Sequence, residues 1–152
     1  MAVTQQVTVR LTQKDHYRFE VDWSLPTHVK GIVDEPPPIG AGDGPNASRM
    51  VAVAVSHCLS SSLLFCMEKS HTPFQGLETT ALAEITRNDK GRWRLTKVTV
   101  TLDPKIPESA REQFERCKGL FEDYCIVTEA VRKGITVDVR WAEPPAATTA
   151  PA

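Results

Sequence analysis

The stretch ASRMVAVAVSHCLSSSLLFCMEK, residues 47–69, decides how this chain folds. Val51, Val53 and Val55 alternate with alanines in a strand-like way. Leu59, Leu63, Cys66 and Met67 instead fall at helical spacing, and the run is far too long for an ordinary strand. It reads as one helix of roughly 35 Å, with Asn46 placed so that its side-chain oxygen can accept an orphan N–H of the first turn. The helix is apolar around most of its circumference, so burial on several sides is expected. A single small sheet cannot cover it, whereas a second subunit can. His57, four serines (Ser56, Ser60, Ser61, Ser62) and two cysteines interrupt the apolar character, which fits a buried core helix better than a membrane span.

Working outward, Val7, Val9 and Leu11 alternate with polar residues, as do Tyr17, Phe19, Val21 and Trp23; two half-buried strands are expected, with TQKDH as the turn. THVKGIVDE is a weaker third strand, and EPPPIGAGDGP then stops both helix and ladder. After the long helix, LETTALAEIT alternates again. RNDKGR is a turn with Gly91 where positive φ is tolerated, and RWRLTKVTVTLD is a long strand. The inward set of that strand changes parity between Leu95 and Val98, which predicts a bulge near Thr96 or Lys97. Ala110, Phe114, Cys117 and Phe121 have helical spacing from about Glu108, with Gly119 as an interruption. CIVTEAVRKG reads as a further helix, with Cys125 near its start and Gly134 just past its end. ITVDVRW is expected to be a closing strand. Runs of each element type, not strict alternation, predict an α+β fold with largely antiparallel sheets around a long buried central helix. One domain spans residues 1–143, and residues 144–152 form a disordered tail by composition.

The composition narrows the function classes. The chain has 152 residues, 41% of them apolar and 24% charged, with 18 basic against 19 acidic side chains and a formal net charge of −1. This is a soluble globular balance, and it gives no reason to expect nucleic acid or a membrane as a partner. MAVTQQVTVRLTQ lacks a charged start followed by an apolar core, so no signal peptide is expected. A cytoplasmic protein is predicted, in which the four cysteines would stay reduced.

Those cysteines carry the chemical question. No C-x-x-C occurs and no two histidines have ligand spacing, so no metal is expected. His57 and Cys58 are helix neighbours and point about 100° apart. Cys66 and Cys117 fall in apolar stripes and read as core. Cys58 lies in the only polar stretch of the long helix: the serines there either let another helix approach or line a small polar pocket around a thiol. Cys125 stands at a helix start, where partial positive charge favours thiolate, although Glu122 and Asp123 oppose it.

GPNASRMVAVAVSHCLSSSLLFCMEK resembles the signature of the OsmC/Ohr family, in which a Gly/Asn-Pro loop leads into a long helix carrying a cysteine. FEDYCIVTEAVRKGITVDV resembles that family's second signature, and the likeness extends over residues 5–141. The resemblance implies an OsmC-like fold and an intertwined homodimer with the long helices packed together. It also implies that Cys58 and Cys125 lie close in space. Cys58 would attack the O–O bond of an organic hydroperoxide, Cys125 would condense with the resulting sulfenic acid, and an external dithiol, lipoyl-type in some relatives, would restore the pair; no bound cofactor is implied. Peroxidatic relatives also hold an arginine at the thiolate, and Ohr-type ones a glutamate. Here Lys14 is the nearest match to the hairpin arginine, Pro38 falls near the OsmC-type arginine, Ser48 stands where the glutamate would be, and Ile126 replaces the usual proline after Cys125. Lys14, Arg18 and Arg49 are the candidate charge partners. Phe19, Phe65 and Phe121 either border an apolar substrate pocket or are ordinary core. The expected function is thiol-dependent peroxidase (oxidoreductase) activity in antioxidant defence against oxidative stress. The alternative is a non-peroxidatic dimer that binds a small apolar ligand or senses oxidants slowly, which the missing arginine–glutamate pair favours. In a third reading the cysteines serve packing alone.

Overall fold

The structure, a computed structural model, describes residues 3–142. The tail expected over residues 144–152 lies outside them. Strands β1 (Arg10–Asp15) and β2 (Arg18–Asp22) form a hairpin, and β3 (Lys30–Val33) pairs antiparallel with the other edge of β2, in the order β1-β2-β3. The register shifts between Gln13 and Asp15, which leaves Lys14 as a bulge beside the turn. A loop leads to α1 (Ala47–Lys69), which is followed by the long antiparallel pair β4 (Leu77–Arg87) and β5 (Trp93–Pro104). A 3-10 turn (Glu108–Ala110), α2 (Arg111–Lys118), a second 3-10 turn (Phe121–Tyr124) and α3 (Ile126–Lys133) complete the order.

Several local expectations hold for the reasons that produced them. The Arg49 N–H donates to Asn46 Oδ1 at 3.2 Å, capping α1. Gly91 and Gly134 have φ of 71° and 80°, values that a residue without a Cβ adopts at little cost. Glu84 pairs with Lys97 and Ile85 with Leu95, so Thr96 is the extra residue that reconciles the two phases of β5. Its hydroxyl donates to the Glu84 carbonyl at 3.2 Å.

Other expectations are corrected. The first strand begins at Arg10, not Val7, and the third is confined to Lys30–Val33. Both are limited by β2, which offers partners only as far as Asp22 before Ser24 turns with φ 55°. ITVDVRW is not a strand: no edge among the described residues pairs with it, and Ile135, Val137, Val139 and Trp141 are all largely exposed. Within one chain α1 keeps its other sides open. Its buried residues are Ala52, Val55, Leu59, Ser62, Leu63 and Met67, one stripe facing β4, β5 and the helices that follow. Val53 and Phe65 stay about half exposed.

The core joins Val55, Leu59, Leu63 and Met67 to Cys117, Phe121 and Cys125, with Val98, Val100 and Leu102 of β5 packed alongside. Cys66 and Cys117, expected to be simple core residues in a fully reduced protein, form a disulfide between α1 and α2 with a Cα–Cα separation of 5.7 Å. Their apolar stripes do face each other, and that contact is what brings the sulfurs into bonding reach.

Asp34 shapes the loop before α1. Its carboxylate accepts the N–H groups of Glu35 at 2.8 Å, Ala41 at 3.0 Å and Asp43 at 3.2 Å. Burial opposes its ionisation, but these bonds and one from the Gly42 N–H prevail and hold its pKa below the ordinary aspartate value.

Three outcomes follow. Unreduced, denatured protein exposes two reactive thiols, from Cys58 and Cys125, in a colorimetric thiol count. Replacing Cys66 and Cys117 together by serine lowers stability by about 2–4 kcal/mol in urea titration, because the bridge closes a long loop. For Asp34 the folded pKa is depressed, so its contribution is fully present above the ordinary value of 3.8 and is lost as pH falls through the folded value. The acid arm of a stability–pH curve therefore flattens in Asp34→Asn, which is also less stable at neutral pH.

Candidate functional site: a paired-thiol centre

Cys58 is half-buried in the middle of α1, and Ser62 stands one turn further on the same face. Cys125 is the N-cap residue of α3 and is buried, at 2% exposure. Thr128, one turn into α3, is also buried. Packing of α1 against the second 3-10 turn and α3 brings these four side chains together. The two thiols are near enough to influence each other's ionisation. Cys125 Sγ lies 2.8 Å from Thr128 Oγ1, and either atom can be the donor. The Val127 N–H donates to Cys58 Sγ at 3.5 Å.

This environment separates the two sulfurs electrostatically. Burial pushes the Cys58 thiol up, the hydrogen bond with Cys125 adds to that, and the Val127 N–H only partly opposes it. Burial alone would raise Cys125 too, but hydrogen bonds from Cys58, Thr128 and Ser62 overcome it and hold Cys125 below the ordinary thiol value.

None of the three candidate cations pairs with either thiol within the chain. Lys14 Nζ lies 3.7 Å from Glu20 Oε2, and Arg18 Nη1 donates to Asp43 Oδ2 at 3.0 Å. Arg18 Nε is buried without a hydrogen-bond partner. Arg49 stands in the first turn of α1, more than two turns before Cys58. The cation that does sense Cys125 is Arg132, two turns along α3, whose charge is favoured first by Glu122 and weakly by Cys125. Its i+7 spacing from Cys125 was readable in the sequence, as were the i+4 and i+3 spacings of Ser62 and Thr128. His57 is exposed, and its Nε2 approaches Ser61 Oγ at 3.5 Å. Among the described residues, no three His, Cys, Asp or Glu side chains converge as metal ligands.

Two clefts lie along α1, and the first adjoins the centre at Thr128. One, of about 470 Å³, lies between α1, β5 and α3 and includes Leu59, Val98, Phe121, Thr128 and Arg132. The other, of about 490 Å³, is more apolar and lies between the first sheet and the start of α1, with Phe19, Trp23 and Met50 in its wall. The three phenylalanines therefore do not share a pocket, since Phe65 packs against Tyr124 with ring centroids 6.1 Å apart.

A family model described as OsmC-like protein matches residues 40–140, and the chain belongs to that family. No curated protein sequence matches it significantly. Among solved structures, an OsmC-like protein of unknown function from Vibrio cholerae aligns with TM-score 0.69 at 14% identity, covering 84% of this chain and 94% of that one. An OsmC-like protein from Mycoplasma pneumoniae gives 0.71 at 8% identity, covering 86% and 89%. The organic hydroperoxide resistance protein OhrB of Bacillus subtilis gives 0.58 at 16% identity, covering 84% and 91%. At these identities the likeness establishes the mixed helix and antiparallel-sheet fold.

Proposed function

We propose that the protein reduces organic hydroperoxides through the Cys58–Cys125 pair, in defence against oxidative stress. The observation that carries this reading is the meeting of two thiols far apart in sequence: Cys58 Sγ accepts the N–H of Val127, two residues after Cys125, and both cysteines pack in the same apolar core. The fold shared with organic hydroperoxide resistance proteins supports it. Cys58, the more accessible sulfur, attacks the terminal peroxide oxygen; the O–O bond breaks, leaving an alcohol and a sulfenic acid on Cys58. Cys125 displaces the hydroxyl as water and closes a disulfide. An external dithiol, lipoyl-type by family likeness, reopens it by exchange. The upward push on the Cys58 thiol and the lack of a cation paired to it among the described residues favour, as a second reading, slow oxidant sensing by the same pair.

The working unit in this proposal is a homodimer. Among the described residues, the surface left open includes Val53 and Phe65 of α1, Leu82 and Ile85 of β4, Trp93 of β5 and the apolar set from Ile135 to Trp141, which a second copy can cover. A partner also offers a route by which Lys14, Arg18 or Arg49 of one chain approaches the thiols of the other.

One equivalent of cumene hydroperoxide removes two free thiols from the reduced pair within seconds, and this fast loss is abolished in Cys58→Ser. Loss over hours that still requires both Cys58 and Cys125 identifies the sensor instead, and equal loss in Cys58→Ser removes both readings. Light scattering on a sizing column gives twice the 16.8 kDa chain mass; a mass of one chain overturns the dimer.

A further inference from the structure

The far end of the β4–β5 hairpin reaches past the core. The inward-facing residues are half-buried only as far as Ala83 of β4 and Val98 of β5, and everything beyond them is exposed. Residues 87–94 of this end hold Arg87, Lys90, Arg92 and Arg94 against one carboxylate, Asp89, in a chain whose formal net charge is −1. None of these cations forms an ion pair among the described residues, whereas most of the other lysines and arginines do. Lys97, lower on the same hairpin, is paired with Glu84 at 3.5 Å.

The turn that carries these charges is built to hold its shape. Asn88 Oδ1 accepts the N–H groups of Lys90 at 3.1 Å and Arg92 at 3.0 Å, and the Asn88 N–H donates to the Arg92 carbonyl at 2.9 Å. Arg87 Nη1 donates to the Gly91 carbonyl at 2.9 Å, and its guanidinium lies 4.4 Å over the Trp93 ring. Arg94 Nη1 donates to the Trp93 carbonyl at 2.7 Å. A guanidinium has five N–H donors, so both arginines keep donors to spare. Asn88, Asp89, Lys90, Arg92 and Arg94 border a hollow of about 270 Å³. Groups fixed before a partner arrives lose less entropy on binding it.

We propose that this hairpin end is a docking site for an acidic segment of another protein, whose aspartate and glutamate side chains pair with Lys90, Arg92 and Arg94. Arginine dominates the patch, and its planar fork matches a carboxylate through two parallel bonds. Other polyanions fit less well. A nucleic-acid strand binds through free aromatic faces and a groove of cations that tracks its backbone. Here the Trp93 ring is already covered by Arg87, and the next cation along β5, Lys97, is neutralised by Glu84. An anionic bilayer draws on basic residues gathered on one face. Arg87 is paired across the ladder with Trp93, so Arg94 leaves the ribbon on the opposite face, and no single plane meets both arginines. A peptide can wrap around the end and reach both. The docking requires no step of the hydroperoxide chemistry.

The probe is a fluorescein-labelled peptide of alternating aspartate and glutamate, followed by anisotropy with the full chain at low salt. It binds saturably, and salt at about 0.5 M, where the screening length falls to a few Å, removes the binding. Amide signals that shift during an NMR titration with the peptide cluster at residues 87–94. Arg92→Glu weakens the binding roughly fivefold and its combination with Arg94→Glu more than roughly tenfold, while Arg10→Glu, the same single change of charge on β1, leaves it within about twofold. No saturable binding up to about 1 mM peptide overturns the proposal. So does equal weakening by Arg10→Glu and Arg92→Glu, or tighter binding of a labelled single-stranded oligonucleotide or of phosphatidylglycerol vesicles through the same arginines. The salt and NMR readouts use the wild-type chain, so they decide even if a variant does not fold.

Discussion

The contact between the buried stripe of α1 and the segment from Cys117 to Thr128 holds the rest of the molecule in place. Val55, Leu59, Leu63 and Met67 give that stripe its apolar area, each contributing about 1.5–3 kcal/mol on full burial. The opposite wall is short and irregular: two brief helices and two 3-10 turns, with little internal cooperativity of their own. These elements stay ordered because α1 gives them a surface to lie on. The disulfide and the thiol contact both cross this same seam, so the chemistry sits where the fold is most constrained.

That placement explains how polar sulfur chemistry persists inside hydrocarbon. A lone thiolate in such a core would be strongly disfavoured. Here the Val127 N–H meets Cys58 and the Thr128 hydroxyl lies beside Cys125, in place of bulk water. The Arg132 guanidinium, further along α3, is engaged by Glu122.

Much of the fold was legible because it is written in local terms. The helical spacing of Leu59, Leu63 and Met67, the Asn46 cap, the parity change around Thr96 and the glycines at 91 and 134 all express short-range physics, and all appear where they were read. Cys125 at a helix start is of the same kind. The juxtaposition of Cys58 with Cys125 came only from family likeness, since spacing along a chain holds no distance between remote elements. What failed depends on long-range pairing. ITVDVRW has the alternation of a strand, but a strand exists only beside another, and no strand among the described residues pairs with this one. Cys66 and Cys117 were read as core because burial and bonding have the same local signature; only the meeting of two stripes distinguishes them. Likewise, Lys14 and Arg18 carry the right charge, but Glu20 and Asp43 lie nearer to them than either sulfur does.

The spacing of the four sulfurs has one more consequence. Cys58 and Cys66 are eight residues apart on α1, and Cys117 and Cys125 are eight apart on the facing segment, running the other way. The bond between Cys66 and Cys117 therefore acts as a shortcut. It cuts the covalent path from Cys58 to Cys125 about fourfold, which is worth about 1.2 kcal/mol of chain entropy, or close to an eightfold gain in how often the two ends meet. A bond with no part in the proposed redox step thus acts as a tether, keeping Cys58 and Cys125 within each other's reach whenever the surrounding helices loosen.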